Sequence, residues 1–196
     1  RADDRAEADR RFDAVEGLIR GRVGEYLFAT EDIPLEEALV RIMSNRGLTL
    51  SAAESCTGGL FSELITSIPG SSAMFAGAEI SYSNEWKRRE LGVPAGLLEG
   101  ENAPGAVSPE TAAAMAEGVL MRSGADYAVA ITGVAGPSHS ERKPVGLVYA
   151  AVASKGGETE VHKMNVNGNR ELIRLRSAKR AMYFLWNRLR KEHPEI

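Results

Sequence analysis

The chain is poor in most of the residue types that mark a specialised class. It has one cysteine, Cys56, which excludes an internal disulfide framework and fits a reducing compartment; a cytoplasmic protein is expected. Its three histidines, His139, His162 and His193, are scattered and none sits in a motif, so the commonest general base in proteins is scarce. All three read as structural or solvent-facing. No apolar run approaches the roughly 18 residues of a membrane-spanning helix, and the charged start does not read as a secretory signal. The formal charge of −3 and the lack of a basic, aromatic-studded groove argue against nucleic acid as a partner. No metal-ligand cluster, internal repeat or low-complexity segment is visible.

What remains is length enough for one α/β domain and a small extra segment, 196 residues in all. Residues 1–33 carry six Arg against nine Asp and Glu. Phe12, Val15, Leu18, Ile19, Val23 and Tyr26 recur at helical spacing there, which predicts an amphipathic helix. From Pro34 the pattern is that of a domain, 34–196. A helix with Leu35, Ala38, Leu39, Ile42 and Met43 inward ends at Gly47. Strands are expected over 48–53, 73–83, 126–132 and 145–153, with a return strand over 158–166 after the Lys155-Gly156-Gly157 turn. Helices are expected over 58–68, 85–91, 109–123 and 170–191, and a Gly- and Pro-rich loop over 92–104. Ser108 reads as an N-cap with Pro109 at the first helical position. Asp126 reads as a cap of the preceding turn. The sum is an α/β protein: a three-layer α/β/α sandwich on a mixed, mainly parallel sheet of about five strands.

One stretch organises this chain. Glu54-Ser55-Cys56-Thr57-Gly58-Gly59 joins a strand to a helix, and such turns expose side chains at the carboxyl end of a strand. Ser55 and Cys56 are both candidate nucleophiles there. Extended neighbours point opposite ways, so only one of them faces a given site, and a buried Cys56 is equally a packing residue. Tyr82 and Thr132 also fall at or just past strand ends, on the same rim if the strands are parallel neighbours. A serine needs a base. Lys87 lies five residues past Tyr82, on the first turn of the next helix, and can reach back to that rim. A lysine serves as a base when desolvation or a nearby cation favours its neutral form.

Five motifs follow in order: Glu54-Ser55-Cys56-Thr57-Gly58-Gly59; Tyr82-Ser83-Asn84-Glu85 with Lys87; Gly105-Ala106-Val107-Ser108; Thr132-Gly133-Val134-Ala135-Gly136-Pro137; and Lys143-Pro144-Val145-Gly146. Over roughly residues 34–190 the chain resembles the C-terminal domain of CinA proteins, a family that includes PncC-type nicotinamide mononucleotide deamidases. The resemblance implies amide hydrolysis without metal or cofactor, with Ser55 as nucleophile, Lys87 as base and Tyr82 assisting the proton. It implies oxyanion or substrate contacts from Thr57, Gly58 and Gly59, and substrate binding by Asn84 and Thr132. A phosphate cradle would come from Gly133 to Gly136 together with Arg170. The favoured nucleophile in this pattern is Ser55, not Cys56. Residues 1–33 resemble the tail of an upstream nucleotide-processing domain, or are an extra helix of this one. A small-molecule nucleotide substrate and a homodimer are expected, with the stripe from Phe12 to Tyr26 as a candidate partner surface.

The chain departs from the pattern at Ser138-His139-Ser140-Glu141-Arg142, where a Gly-rich run is usual, and slightly at Glu101 to Pro104. Ser81 stands where Thr is frequent. Two other readings therefore stay open: a non-catalytic ligand-binding or interaction domain of a competence- or damage-inducible CinA-like protein, and an amidase acting on another small amide.

Overall fold

The computed structural model describes residues 4–140 and 142–194, and every side chain among them except that of Glu25. Contacts divide the chain into two units, residues 1–33 and 34–196. In the first, the Asp4 carboxylate accepts the Glu7 N–H at 2.7 Å and starts helix α1, Arg5–Val23. Glu16 pairs with Arg20 at 2.7 Å and Glu7 pairs with Arg11, each one turn apart. Phe12, Val15, Leu18, Ile19 and Val23 are all exposed, and α1 buries no residue.

The second unit contains helices α2 (Leu35–Asn45), α3 (Leu60–Thr66), α4 (Asn84–Leu91), α5 (Ala95–Leu98), α6 (Pro109–Ser123) and α7 (Arg170–Glu192). Interleaved with them are strands β1 (Leu50–Glu54), β2 (Phe75–Ile80), β3 (Tyr127–Gly133), β4 (Leu147–Ser154) and β5 (Glu160–Asn165). The strands form one sheet in the order β2-β1-β3-β4-β5. β2, β1 and β3 are parallel neighbours, β4 runs against β3, and β5 runs against β4. Four strands thus share one direction. β3 is almost continuously apolar because it is buried on both faces, whereas the edge strand β2 alternates.

Alternation sets the two layers. Ala53, Ala128, Ala130, Ala151 and Ala153 point to one face and pack on Met115, Ala112, Ala116 and Val119 of α6. The small strand residues let α6 lie close, and Met115 is fully buried; burying such a side chain is worth about 1.5–3 kcal/mol. α4 packs on α6 from outside, at Gly118, where an added Cβ would stand 2.0 Å from the Leu91 carbonyl oxygen. The other face carries α7, with α2 and α3 against it.

Several boundaries differ from the sequence expectation. Ser108 caps α6 by accepting the Thr111 N–H at 3.1 Å, and Gly124 ends it, as expected. β1 begins at Leu50, because the Leu48 N–H turns back to the Met43 carbonyl and closes α2. Residues 71–73 form a single 3-10 turn, so β2 starts only at Phe75. β2 also stops at Ile80, not at Ser83. One further ladder bond follows, Ser81 N–H to Glu54 O at 2.9 Å, before Ser83 caps α4. The loop expected over 92–104 holds the short helix α5. Asp126 does not cap its own turn: its carboxylate accepts from the Thr49 N–H at 2.9 Å and the Thr49 hydroxyl at 2.7 Å, tying the entries of β1 and β3. His162 stacks on Phe184 at 3.9 Å, and burial pushes its pKa down. Among the described residues no helix is long and apolar enough to cross a membrane.

Candidate active site

Three parallel strand ends, those of β2, β1 and β3, lie side by side and form one rim. A cleft of about 260 Å³ opens there. Ser55, Cys56, Tyr82, Asn84, Lys87 and Arg170 line it, together with Ala106, Val107, the run Thr132–Gly136, Ser138 and Ser140. A larger cleft, about 630 Å³, lies near the start of β3 between α6 and the β4–β5 turn, away from Ser55.

One side-chain contact on the rim joins two residues 32 positions apart. Lys87 Nζ lies 3.0 Å from Ser55 Oγ. Ser55 follows β1 directly, held by its N–H to the Ile131 carbonyl at 2.9 Å. Lys87 sits on the first turn of α4 and is only 1% exposed. Its amine also reaches the Ser81 carbonyl at 2.7 Å and the Tyr82 carbonyl at 3.2 Å. A neutral amine has two N–H donors and one lone pair. Giving the donors to the two carbonyls leaves the lone pair for the Ser55 hydroxyl. The charged form instead donates to all three oxygens, so one pocket accommodates both states.

Cys56 also lines the cleft, but burial pushes its thiol up to about 12, so it stays protonated at neutral pH. The Lys87 contact falls on Ser55 and not on its neighbour.

The helix start beside Ser55 is already occupied. The Glu54 side chain, fully buried, points away from Ser55 and into α3. It accepts the N–H groups of Gly59 (2.9 Å), Phe61 (3.1 Å) and Ser62 (2.9 Å) and the Ser62 hydroxyl (2.5 Å). The Gly58 N–H goes to the Ser55 carbonyl at 3.1 Å. Thr57, Gly58 and Gly59 do not line the cleft. Oxyanion donors from Gly58 and Gly59, expected from the sequence, are thus spent within the turn, with an internal carboxylate where an outside anion was expected. Gly59 itself stands at φ +95°, a conformation only glycine takes easily. Thr57 is buried, its hydroxyl lacks a hydrogen-bond partner, and its carbonyl accepts from Arg174 at 2.6 Å and 3.2 Å.

Tyr82 enters differently from expectation. Its ring is 60% exposed and its hydroxyl accepts from Arg170 at 3.0 Å, so its contact with Lys87 runs through the backbone carbonyl and not the phenol. Arg170, the first residue of α7, also donates to the Gly136 carbonyl at 2.6 Å. The Thr132 hydroxyl donates to the Ala106 carbonyl at 2.7 Å, so its proton is taken by the wall and not by Ser55. Asn84, Gly133 and Gly136 face the cleft.

Three contributors carried no assigned role in the sequence reading. Glu54 organises the turn. Arg174 grips its carbonyl. Lys143 donates to the carbonyls of Pro104 and Val107 and so holds the wall that Ala106 and Val107 form. Glu54 was in principle findable, since the residue before a rim-facing Ser55 must point the other way, toward the helix start. Among the described residues no group of three His, Cys, Asp or Glu is placed to hold a metal ion. Glu141, part of the atypical loop, lies outside the described residues.

Residues 32–189 match the family described as the CinA C-terminal domain. A relative from Moorella thermoacetica is 48% identical over 188 residues, which is 95% of this chain and 44% of the relative. A "CinA-like protein" of Chlorobium phaeobacteroides is 47% identical over 173 residues, 86% of this chain and 40% of its own. The crystal structure of the competence/damage inducible protein CihA from Agrobacterium tumefaciens superposes with a TM-score of 0.73 at 42% identity, over 77% of this chain and 91% of that one. The chain spans less than half the length of the curated relatives it matches.

Proposed function

The chain belongs to the CinA C-terminal domain family, and from that membership and the Ser55–Lys87 contact we propose that it is an amidohydrolase that converts nicotinamide mononucleotide to nicotinic acid mononucleotide and ammonia, a step of NAD salvage. The observation that carries this reading is a buried amine 3.0 Å from a serine hydroxyl at a strand-end rim. Burial opposes the charged form of an amine, and the neutral form is the one a general base needs.

In the acylation half, the Ser55 proton moves to Lys87 Nζ as Oγ bonds the carboxamide carbon. The C–N bond then breaks, and Lys87 passes that proton to the departing nitrogen, which leaves as ammonia. In the second half, a water gives a proton to Lys87 as its oxygen bonds the acyl carbon. The C–Oγ bond breaks and Lys87 returns the proton to Oγ. One amide and one water become one acid and one ammonia, and the enzyme is restored. Arg170 and the start of α7 supply positive charge at the rim for the substrate phosphate. Asn84 is the side-chain amide available to the carbonyl oxygen. A pure binding module has no need of an amine desolvated against a serine.

The test measures ammonia and nicotinic acid mononucleotide released by this chain and by its Ser55→Ala, Lys87→Ala and Cys56→Ala forms. Activity should vanish in the first two and persist in the third. A folded parent without activity would exclude this substrate, and loss confined to Cys56→Ala would move the nucleophile by one residue.

A further inference from the structure

The turn that follows Ser55 is held from outside by one side chain. Among the described residues, Cys56, Thr57 and Gly58 make a single hydrogen-bonded contact beyond their own turn: the Thr57 carbonyl accepts from Arg174 Nη2 at 2.6 Å and Nε at 3.2 Å. Within the turn that carbonyl meets only the Leu60 N–H, at 3.3 Å. The Thr57 hydroxyl has no partner, and Gly58 and Gly59 stand at φ +58° and +95°, so the backbone there is loosely determined by its own residues. Arg174 is firmly based, because Ile173, Ser177 and Ala178 beside it on α7 are buried. Arg170 precedes it by one helical turn on the same face of α7 and takes the Tyr82 hydroxyl and the Gly136 carbonyl. The first two turns of α7 thus reach a residue beyond the end of each parallel strand of the rim: Tyr82 after β2, Gly136 after β3 and Thr57 after β1.

Charge points to the same residue. Glu54 places a fully buried carboxylate immediately before Ser55, and negative charge gathering on oxygen at the reacting centre is repelled by it. Arg174 pairs with no carboxylate among the described residues, so its charge is left to act on the turn. Burial dominates at the Cys56 thiol, and lesser effects there come from Lys87, Glu54 and Arg174, which puts all three charges around one turn. Arg174 itself does not line the cleft. Resting on the Ser–Lys reading above, we propose that Arg174 is a positioning residue: it acts through the Thr57 carbonyl to hold the Ser55 turn in its reactive orientation, and its charge offsets the Glu54 carboxylate as Ser55 Oγ forms its new bond. A fixed cation outside the cleft does this without touching substrate, and its charge is in place before the reaction starts.

The experiment reads Ser55 in two ways, by turnover of nicotinamide mononucleotide and by labelling with a fluorophosphonate, in which Oγ bonds phosphorus as fluoride leaves. Intact mass follows the labelling. In Arg174→Ala both the labelling rate and kcat should fall about 10- to 100-fold, the rate equivalent of one charge-assisted hydrogen bond, with KM little changed. Guanidinium ion, added below the concentration at which circular dichroism changes, should restore part of both rates, which a general loss of packing does not allow. Arg174→Lys keeps the charge and should react faster than Arg174→Gln, which keeps only a neutral donor. Parent-like labelling of folded Arg174→Ala, a raised KM in place of a lowered kcat, or no rescue by guanidinium overturns the assignment. Should the alanine form not fold, a glutamine form that reacts as fast as the lysine form overturns it equally. A parent in which Ser55 takes no label sinks the Ser–Lys reading itself, whereas labelling that depends on Arg174 without turnover of the nucleotide upholds the positioning role and changes only the substrate.

Discussion

Removing one charge from Glu54 should unfold the domain at a markedly lower temperature without touching the cleft surface. The carboxylate accepts four hydrogen bonds, from the N–H groups of Gly59, Phe61 and Ser62 and from the Ser62 hydroxyl. Glu54→Gln conserves shape but keeps a single acceptor oxygen. The new NH2 faces two of the donors, and about two charge-assisted bonds are lost. At about 1.5–3 kcal/mol for each, the expected cost is about 3–6 kcal/mol. Typical domain stabilities are about 5–15 kcal/mol, so this is a large share. For a domain of this size about 2–4 °C is lost per kcal/mol, giving a fall in Tm of about 6–24 °C. Thermal unfolding followed by circular dichroism reads this directly. Urea unfolding should give a lower midpoint with an unchanged slope. Activity should fall as well, because Ser55 is anchored beside Glu54. A Tm within about 2 °C of the parent would refute the claim that this carboxylate holds the turn, since even one charge-assisted bond is worth more.

Other outcomes follow from single contacts. Cys56 titrates at about 12 in the fold against an ordinary 9.0, mainly through burial. Its neutral form therefore favours the folded state fully below pH 9, and that advantage is lost as pH rises toward 12. Stability of the parent should drop by up to about 1.4 kcal/mol per pH unit across this window relative to Cys56→Ala, measured by urea unfolding, and iodoacetamide at pH 8 should label Cys56 only after unfolding. Arg170→Ala should raise KM for the nucleotide by about 10- to 100-fold, the worth of a charge-assisted contact, and leave KM for the dephosphorylated riboside little changed; equal effects on both would remove the phosphate from Arg170. Gly118→Ala places a Cβ 2.0 Å from the Leu91 carbonyl oxygen, so α4 must shift off α6 at a cost of about 1–3 kcal/mol; a parent-like Tm would contradict that packing.

Much of the fold was readable because local and global preferences agree. Ser108-Pro109 and Gly124 bracket α6 with ordinary cap chemistry, and the apolar run of β3 needs both faces buried. The positions of Ser55 and Lys87 on one rim were readable from strand–turn–helix order. Their contact was not, since it depends on which strands become neighbours, and the order β2-β1-β3 places β1 between two later strands. The Gly58 and Gly59 N–H groups are engaged within the turn for a physical reason. Free N–H groups at a helix start are a generic property, and only the direction of the Glu54 side chain decides whether an inside or an outside group takes them. The contacts of Tyr82 were not legible either, because a strand ending at Ile80 leaves its ring exposed and offers Lys87 its carbonyl. α5 is only four residues long and has no periodicity to detect.

The reversal of β4 has a consequence for how this scaffold can diversify. Because β4 runs against β3, the segment between them leaves and returns on the same rim, next to Ser55. Its two stems are stapled by the Val134 N–H to the Leu147 carbonyl at 2.9 Å and the Gly146 N–H to the Val134 carbonyl at 2.8 Å. Outside Gly136 and Lys143, which hold Arg170 and the cleft wall, the residues between those staples can be exchanged like a cassette without disturbing the register of the sheet or the placement of Ser55 and Lys87. Ser138 to Arg142, the stretch where this chain departs from the common pattern, falls inside that cassette. The frame thus keeps the Ser55–Lys87 contact apart from the loop that shapes the entrance of the cleft.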